Sequence, residues 1–472
     1  MLKKISINGL RGFGENEIIN FSLPNDKEGS GLNIIVGPNN TGKTTIIEAI
    51  KFFNSDKMHI SFSEGKRNAR NDNKVDILYY DENEQQSEIH TVETGGSQVD
   101  TIGSLDINKV PYVLPSRRYV EYNMHNSNFF ADRNTYSINQ ITNSKNRAWY
   151  LNQFEQRIFK WQNKKKEFDK VLKRIIVEPF DWNIEQNDEG AYYIKIFFSD
   201  MSISHTREGI GDGYWSIFTI VDALYDSKKN DLIVIDEPEL SLHPTFQKRV
   251  VDLLLEYSKD RQIIITTHSP YFISLPSIVN GGGLIRTYKN EIGNIKTGMI
   301  LDEDRKFMQG MLANLNNPHV LGLEARELFF IEDNIIITEG QEDVVIIPKI
   351  CYELDKKIEA TLFGWGAGGA ENISKVLNML YNLGYKKVTA IFDGDKQEEY
   401  KKCCEKFKNY NIKILFEDDI RDKDAIHKDS KKGITNKYGK IKEENKSKFL
   451  QLLNEINEYH LNDFKEENKW KM

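Results

Sequence analysis

LNIIVGPNNTGKTTIIEAIKFF, residues 32–53, is the stretch of sequence that decides the fold. It opens with an apolar run typical of a buried strand, passes through a glycine-containing turn, and continues with the apolar spacing of a helix. Backbone N–H groups of such a turn, at the start of a helix, cradle phosphate groups. The motif predicts that Lys43 reaches the β- and γ-phosphates of a nucleotide and that Thr44 holds Mg²⁺. The nucleotide-binding residues expected in this segment are Gly37, Asn39, Asn40, Gly42, Lys43, Thr44 and Thr45.

Two apolar runs later in the chain end in residues suited to nucleotide hydrolysis. The run LIVIDE ends with Asp236 and Glu237. We expect Asp236 to orient Mg²⁺ through its water ligands, and Glu237 to align or deprotonate the attacking water. The run QIIITTH ends with His268, which we expect to sense the γ-phosphate. Buried apolar strands that alternate with helices indicate a parallel sheet.

These motifs together resemble those of ABC-type ATPases. The segment 37–44, the stretch IDEPELSLHP and the stretch TTHSP look like the Walker A motif, the Walker B motif with its D-loop, and the switch histidine. The likeness is greatest to the SMC-like heads of the OLD (overcoming lysogenization defect) family. It implies that two copies of the head sandwich ATP, and that a signature loop of one copy contacts the nucleotide of the other.

Gly211-Asp212-Gly213 stands where that signature loop is expected, with Asp212 in place of the family's usual serine. A carboxylate cannot donate a hydrogen bond to the γ-phosphate and repels its charge. We therefore expect ATP to bind through Lys43 but to be hydrolysed slowly, as a conformational or assembly signal. The alternative is that Asp212 is the N-cap of a helix beginning near Tyr214. Elsewhere, Arg117 and Arg118 are candidate phosphate or interface arginines, with structural salt bridges as their alternative.

A second alternation of strands and helices begins at residue 334. Glu339 and Asp343 follow the apolar run NIIIT, and Asp393 and Asp395 follow the run VTAIF. Parallel neighbouring strands would bring these carboxylates to one edge of a sheet, where a cation relieves their repulsion, so Mg²⁺ or Mn²⁺ is expected there. Such cations polarise a phosphodiester and activate water.

This second unit resembles the TOPRIM domain of topoisomerases, primases and OLD nucleases, with the glycine-rich segment 364–366 between its acidic motifs. The resemblance implies that Glu339 is the metal-linked acid or base and that Asp393 and Asp395 are metal ligands. Asp343 occupies the acidic position that closes the first motif, and is expected at the metal. The remaining candidates are Glu417 as a further ligand, and Lys423 or Lys440 as the residue that neutralises a phosphate.

The expected fold class is α/β, with an ABC-type ATPase domain followed by a small parallel α/β TOPRIM domain. The ATPase head is assigned to residues 1–325 with a helical insertion at about 144–180, and the TOPRIM domain with a C-terminal helical tail to residues 331–472. The boundary falls near residues 318–334. Residues 144–176 are predicted to form one long helix or a helical pair that ends before Pro179. Its aromatic residues serve either dimerisation or a core of their own: Trp149, Phe154 and Trp161.

Composition narrows the class of protein. The chain has 472 residues, of which 39% are hydrophobic, and three cysteines without the spacing of a disulfide framework or zinc site. A continuous run of roughly 20 apolar residues, which a bilayer requires, is absent from the sequence, so we expect a cytoplasmic protein without a membrane partner. The net charge of −7 restricts DNA binding to a local basic face. Residues 421–448 hold ten lysines and arginines against five acids, which is either such a face or a solvated surface.

An ATPase head followed by TOPRIM is the order of OLD-family nucleases. The resemblance implies an ATP-controlled, metal-dependent DNA endonuclease of anti-phage defence that cleaves or nicks DNA. It also implies a homodimer or higher oligomer formed through the heads, and a defence partner such as a helicase or a retron reverse transcriptase with its single-stranded DNA. The alternatives are a nucleotide-gated, non-catalytic sensor or scaffold with a degenerate TOPRIM fold, an ATP-dependent DNA repair nuclease, and an ATP-dependent motor or loader.

Overall fold

The computed structural model describes residues 1–53, 60–92, 98–103, 111–116, 154–178, 180–188, 190, 192–198, 204–206, 209–313, 333–423 and 430–461. The chain forms two compact units, Met1–Thr297 and Gly298–Met472. Several sequence expectations lie outside the described residues: Arg117, Arg118, Trp149, the segment 144–153, nearly all of the boundary at 318–334, and the end of the tail at 462–472.

The strands of the first unit follow one another along the chain and belong to three sheets. They are β1 (Leu2–Asn8), β2 (Glu17–Asn20), β3 (Leu32–Val36), β4 (Asp76–Asp81), β5 (Gln86–Thr91), β6 (Val99–Ile102), β7 (Tyr112–Leu114), β8 (Phe180–Gln186), β9 (Tyr192–Phe198), β10 (Ser204–His205), β11 (Leu232–Asp236), β12 (Gln262–Thr266), β13 (Gly283–Lys289) and β14 (Ile295–Met299).

The helices of this unit alternate with its later strands. They are α1 (Lys43–Lys51), α2 (Phe154–Ile158), α3 (Lys165–Leu172), α4 (Asp212–Tyr225), α5 (Pro244–Tyr257) and α6 (Leu275–Val279). Short 3-10 turns occupy Glu64–Lys66, Ala69–Asn71, Phe159–Lys164 and Pro270–Phe272.

A largely parallel sheet carries the nucleotide motifs. Its described strands follow the order β14-β13-β3-β12-β11-β7, and the neighbours from β13 to β7 run parallel. β3, β11 and β12 are buried along their whole length, which explains their continuous runs of Ile, Leu and Val. The expected parallel sheet is therefore confirmed, with the carboxyl ends of β3, β11 and β12 at one edge.

Two antiparallel sheets complete the described part of the first unit. One has the order β2-β1-β4-β5-β6 and the other the order β10-β9-β8. In β4 the buried residues Ile77 and Tyr79 alternate with more exposed side chains, the usual pattern of a sheet covered on one face.

The helical insertion differs from the long helix expected for residues 144–176. Its described part consists of two short α-helices, α2 and α3, joined by a 3-10 turn, and α3 ends at Leu172. The helical-pair alternative is closer to this arrangement. Phe154 is buried against Trp215 with ring centroids 4.8 Å apart, and the Trp161 indole donates to the Asp222 carboxylate at 2.9 Å. These two aromatic residues therefore serve a core of their own.

The second unit is built on a parallel sheet. Its strands are β15 (Ile335–Ile337), β16 (Thr361–Leu362), β17 (Val388–Phe392), β18 (Asn411–Ile414), β19 (Asp419–Arg421) and β20 (Gly433–Thr435). Its helices are α7 (Asp302–Ala313), α8 (Gln341–Glu353), α9 (Ala370–Asn382), α10 (Gln397–Lys406) and α11 (Lys446–Leu461), with a 3-10 turn at Glu443–Asn445.

The four main strands of this unit follow the order β16-β15-β17-β18, and all neighbours are parallel. β15 and β17 lie side by side at the centre, and both are fully buried. The run IKILFE, residues 412–417, was predicted to be the last strand, and this was wrong, because β19 and β20 follow and pair with each other in parallel. They place Ile420 and Ile434 in the same core as Ile336.

Among the described residues, the helices lack the combination of length and apolar character that crossing a bilayer requires.

Candidate functional site

The loop between β3 and α1 has a backbone that two glycines make possible. Gly37 has φ of 146° and Gly42 has φ of 89°, which is a region that residues with a Cβ rarely adopt. A Cβ on Gly37 would lie 2.4 Å from both the carbonyl and the hydroxyl oxygen of Thr287 on β13. A Cβ on Gly42 would lie 2.5 Å from the side chain of Ile295. The loop can therefore keep this close approach to its neighbours only with glycine at both positions.

Lys43 lies over this loop at the first position of α1. Its ammonium donates to the carbonyl oxygens of Gly37 and Pro38, each at 2.9 Å. Burial lowers the pKa of Lys43 to about 8, although the carboxylates of Glu237, Asp236 and Glu239 act in the opposite direction. A phosphate group in the loop would supply the anionic partner that this cation lacks in the loop itself.

The other predicted residues of the loop take positions that suit a bound nucleotide. Asn39 and Asn40 are exposed at the tip of the loop, and Thr44 is exposed on the first turn of α1. Thr45 is buried beneath them. The glycine-lined cradle, the lysine and the accessible hydroxyl of Thr44 together fit the phosphates and the Mg²⁺ of ATP.

Asp236 and Glu237 stand at the carboxyl end of β11, opposite Thr266 on β12. The Thr266 hydroxyl donates to the buried Asp236 carboxylate, and the Glu237 backbone N–H donates to the Thr266 carbonyl at 3.0 Å. Glu237 has φ of 48°, so the chain turns sharply where the strand ends. Its carboxylate lies 3.8 Å from Nε2 of His268. The structure thus brings Glu237 and His268 together at the edge of the sheet where Asp236 ends β11.

Glu239 holds the histidine segment in place, a role that was not predicted from the sequence. Its carboxylate accepts from the His268 backbone N–H at 2.6 Å and from the Thr267 hydroxyl at 2.9 Å. Burial raises the pKa of Glu239 above its ordinary value. The glutamate lies in the quoted stretch IDEPELSLHP, so its position next to Walker B was the available signal. Burial and the Lys43 ammonium lower the pKa of His268, which favours a neutral imidazole.

Asp212 is the first residue of α4, and Gly211 is the N-cap. The alternative interpretation, in which Asp212 is the N-cap of a helix starting near Tyr214, was wrong, because the helix begins two residues earlier. The Asp212 side chain is exposed. Next to it, a Cβ on Gly213 would lie 2.6 Å from the Ser241 carbonyl oxygen, so the start of α4 packs closely on the chain that follows β11.

The carboxylates of the second unit gather at the carboxyl ends of β15 and β17. One carboxylate oxygen of Glu339 accepts from the Asp393 backbone N–H at 2.9 Å, which joins the two acidic motifs directly. Asp343, in the first turn of α8, accepts from the Gly340 backbone N–H at 2.9 Å. The glycine-rich segment also contributes, because a Cβ on Gly366 would lie 2.7 Å from the backbone of Gly340.

Crowding and burial raise the proton affinity of these acids. The pKa of Asp393 rises to about 8, first through burial and then through the carboxylates of Asp343, Glu339 and Asp419. Burial, with smaller contributions from neighbouring acids, raises the pKa of Glu339 to about 7 and that of Asp343 to about 6. Such mutual repulsion is typical of carboxylates that share a site for a cation.

Asp419 on β19 is a further acid at this edge that was not predicted from the sequence. Asp419 is 1% exposed and acts on the pKa of both Asp343 and Asp393. Glu417 also lies next to the second acidic motif, because its carbonyl accepts from the Gly394 backbone N–H at 3.1 Å, and its carboxylate pairs with the Lys432 ammonium at 3.2 Å. The sequence pointed to Glu417 because the run IKILFE predicts a final strand, whereas Asp419 opens a further, short strand.

Lysines from the segment after β18 contact this carboxylate cluster. The Lys431 ammonium lies 2.6 Å from the Asp395 carboxylate, and the Lys423 ammonium lies 2.6 Å from that of Asp419. Lys423 was expected near a phosphate, but Lys431 was missed because it is one of many lysines in a basic run. Lys440 lies in an exposed loop and donates its backbone N–H to Asn436.

The basic run of residues 421–448 is therefore largely paired with acids in its described part. Six of its described cationic side chains lie between 2.6 and 3.2 Å from a carboxylate: Arg421, Lys423, Lys431, Lys432, Lys442 and Lys446. Two of these cations, Lys423 and Lys431, contact acids of the cluster, whereas Lys442 and Lys446 pair with acids of the run itself.

A hard divalent cation suits the chemistry of the cluster. Carboxylate oxygens are the ligands that Mg²⁺ and Mn²⁺ prefer, and a cation would relieve the repulsion seen at Asp393. Within the described residues, however, no three Asp, Glu, His or Cys side chains form a group already arranged to hold a metal ion. The carboxylates would thus have to turn toward a common ion, and Asp395 would have to share or leave Lys431.

Comparison with known proteins relates the first unit to nucleotide-binding families. The family model described as "AAA domain, putative AbiEii toxin, Type IV TA system" matches residues 32–274. Septu protein PtuA of Bacillus thuringiensis is 25% identical over 315 residues, which are 59% of this chain and 74% of that protein. The Old nuclease of Escherichia phage P2 is 30% identical over 132 residues, which are 28% of this chain and 21% of that protein.

Solved structures with a likeness to this chain include heads of SMC proteins. The SmcHead bound to the C-winged helix domain of ScpA gives a TM-score of 0.41 at 15% identity, over 65% of this chain and 99% of the other. The SMC head domain from Thermotoga maritima gives a TM-score of 0.37 at 16% identity, over 64% of this chain and 99% of the other.

Proposed function

We propose that this chain, which belongs to the AAA-domain family whose model covers residues 32–274, is an ATP-regulated, metal-dependent DNA endonuclease of anti-phage defence. In this proposal residues 1–325 are the ABC-type head and residues 331–472 are a TOPRIM domain that cleaves or nicks DNA. The observation that carries it is the hydrogen bond between Glu339 and the Asp393 backbone, which joins two buried acidic motifs at one sheet edge. The match to the Old nuclease supports a nuclease, although it spans about a fifth of that protein.

The head is proposed to bind ATP with Mg²⁺ and to report its presence. Lys43 turns from the carbonyls of its own loop to the β- and γ-phosphates, while Thr44 and Asp236 hold the cation. Glu237 aligns or deprotonates the attacking water. His268, whose pKa is lowered by burial and by Lys43, contacts the γ-phosphate in this proposal. The hydrogen bond from its backbone N–H to Glu239 then couples that contact to the segment after β11.

The second unit is proposed to hydrolyse a phosphodiester of DNA. A bound Mg²⁺ or Mn²⁺ supplies Lewis acidity and lowers the pKa of a water molecule. Asp393, Asp395 and Asp343 are its proposed ligands, with Asp419 as a further acid behind them. Glu339, with its pKa of about 7, is suited to take a proton from water near neutral pH and to return one to the leaving oxygen.

Lys431 and Lys423 are proposed to contact DNA next to the acids. Each lysine ammonium lies against a carboxylate in the structure. When a metal ion binds that carboxylate, the ammonium can move to a phosphate of the DNA. The remaining partners are proposed from the family resemblance: a second copy of the head that completes the ATP site, and a defence partner such as a helicase or a reverse transcriptase with its single-stranded DNA.

A non-catalytic sensor or scaffold is the second candidate. It is favoured by one observation, that the described acids do not form a ready-made group for a metal ion. In that case the lysine–carboxylate pairs would be permanent structural contacts, and ATP binding would control assembly alone.

Cleavage of supercoiled plasmid separates the two candidates. We expect the wild-type protein to nick or linearise plasmid with Mg²⁺ or Mn²⁺, and Glu339→Gln and Asp393→Asn to lose at least about 100-fold of this activity, since each removes a group that holds or activates water. Lys43→Ala should change only the dependence on ATP. Cleavage by both carboxylate variants at the wild-type rate, or none by the wild-type protein under any of these conditions, would contradict the nuclease assignment.

A further inference from the structure

The glycine-rich loop between β16 and α9 is fixed to the segment that carries Glu339. The Ala367 N–H donates to the Thr338 carbonyl at 2.8 Å, and the Gly369 N–H donates to the Glu339 carbonyl at 2.9 Å. Gly366, at φ of 84°, approaches Gly340 so closely that a Cβ would lie 2.7 Å from its backbone. The loop therefore has a set position next to the acidic edge.

Trp365 stands at the turn of this loop and is 40% exposed. Its neighbours Phe363 and Ala367 are fully buried, so these two residues already anchor the loop in the core. Exposed apolar residues are common on protein surfaces, and exposure alone assigns no role to Trp365. Its location is what matters, because the adjacent residue Gly366 contacts the residue that follows Glu339.

Cations and acids lie at the edge of the sheet to which the backbone of this loop is fixed. Lys423 and Lys431 lie against the carboxylates of Asp419 and Asp395 in the same cluster that includes Glu339. Proteins bind unpaired nucleic acid by the same combination, with cations on the phosphates and an aromatic ring under a base. A continuous duplex offers no free base face for such a ring, since its bases are stacked on one another.

We propose that Trp365 stacks on an unpaired base next to the phosphate held at the carboxylate cluster, so that the substrate is single-stranded or locally unpaired DNA. This inference rests on the proposed nuclease function and names its class of substrate. The tight glycine loop gives the ring its position before DNA binds, and the paired lysines supply the phosphate contacts.

Tyr381 provides a matched control. It is an exposed aromatic residue near the end of α9, the helix that begins directly after the loop. It lies eleven positions after Ala370, where that helix starts, at a distance of about 16.5 Å along the axis. A general loss of exposed aromatic surface would affect Trp365→Ala and Tyr381→Ala alike, whereas stacking at the cluster affects only the first.

Binding is measured by fluorescence anisotropy with a labelled oligothymidylate and with its duplex with oligoadenylate, in Ca²⁺ to prevent cleavage. We expect the wild-type protein to prefer the single strand, and Trp365→Ala to bind it about 5- to 100-fold more weakly with little change for the duplex. Trp365→Phe should retain most of the affinity, and Tyr381→Ala all of it. The thermal unfolding of each variant is compared with that of the wild-type protein to exclude misfolding.

Two results would overturn the inference: equal affinity of the wild-type protein for the two oligonucleotides, or unchanged single-strand affinity in Trp365→Ala. Cleavage of the same oligonucleotides in Mg²⁺ or Mn²⁺ separates this failure from failure of the function. A wild-type protein that cleaves duplex and single strand equally, with Trp365→Ala unaffected, retains the nuclease function and contradicts the stacking. A wild-type protein that cleaves neither contradicts the function itself.

Discussion

Asp212 occupies the first turn of α4 with its carboxylate exposed, where the family resemblance expects a serine. An aspartate there stabilises the helix by roughly 0.3–1 kcal/mol through the helix dipole. The same charge at ~4 Å from another unit negative charge is repelled by roughly 1 kcal/mol in water and roughly 4 kcal/mol at an effective dielectric of 20. In a closed ATP sandwich, the repulsion from the γ-phosphate would exceed the gain in helix stability.

Replacement of Asp212 by serine is therefore expected to speed ATP hydrolysis. We predict that Asp212→Ser raises the steady-state turnover about tenfold or more, with a small loss of thermal stability from the weaker helix dipole. Asp212→Asn serves as the comparison, because it removes the charge without introducing a hydroxyl group. Turnover in Asp212→Ser at or below the wild-type rate would mean that the carboxylate does not brake hydrolysis.

Asp393 makes the stability of the second unit depend on pH. Its pKa is about 8 in the folded protein, well above the ordinary value of 3.8, so the folded state binds more protons than the unfolded state between these values. Stability is therefore lost as the pH rises through this window. The amide of Asn keeps the backbone donor to Glu339 and removes the charge.

We predict that Asp393→Asn raises the melting temperature in EDTA at about pH 8.5 by a few degrees. The increase should be smaller at about pH 5.5, because the Asp393 carboxyl group is protonated there and its burial destabilises the wild-type protein less. Differential scanning calorimetry of the two proteins at both pH values measures this. A lower melting temperature for the variant at the higher pH would show that the crowding of the acids has been misjudged.

The residues that were predicted from the sequence and those that were missed differ in their local signals. Lys43, Asp236, His268, Glu339 and Asp393 each end or follow a continuous apolar run, and the structure places each at a strand end or helix start. Glu239, Asp419 and Lys431 follow charged or irregular stretches, where spacing along the chain says little about position in space. Their roles depend on tertiary contacts, which a single sequence does not display.

At the scale of elements, the strands that are buried on both faces were predicted from the sequence, and two short strands that stand among charged residues were not. β3, β11, β12, β15 and β17 were predicted because strands covered on both faces need unbroken apolar runs. β19 and β20 have three residues each and stand among charged residues, so neither periodicity nor composition marks them. For residues 144–176 the sequence left one long helix or a helical pair open, since aromatic spacing does not distinguish one long helix from short helices joined by a 3-10 turn.

The junction between the start of α4 and the segment after β11 can be tested with two neighbouring glycines. A Cβ on Gly213 would lie 2.6 Å from the Ser241 carbonyl oxygen, whereas a Cβ on Gly211 would meet open space. We predict that Gly213→Ala destabilises the protein by roughly 1–3 kcal/mol through overpacking and lowers ATP turnover. Gly211→Ala should match the wild-type protein in thermal unfolding, since its backbone is extended. Equal melting temperatures for both variants would argue against this close contact.

At the scale of the whole molecule, the order of motifs predicted two α/β parts, and the structure has two compact units, Met1–Thr297 and Gly298–Met472. The expected boundary near 318–334 stays a prediction, because nearly all of it lies outside the described residues. The net charge of −7 describes the whole chain, so it locates neither the cluster of acids nor the basic run at residues 421–448. The proposed function depends on whether the gathered acids hold a metal ion.

Titration of the nucleotide-free protein with Mn²⁺, followed by electron paramagnetic resonance of the free ion, tests this claim most directly. Asp393→Asn is compared with the wild-type protein, and Glu359→Gln serves as the acidic control, because Glu359 pairs with Lys357 just before β16, at the opposite edge of the sheet. We predict saturable binding to the wild-type and Glu359→Gln proteins, and at least about tenfold weaker binding to Asp393→Asn. Identical Mn²⁺ binding by Asp393→Asn and the wild-type protein, or no saturable binding by the wild-type protein, would contradict a metal site at these carboxylates.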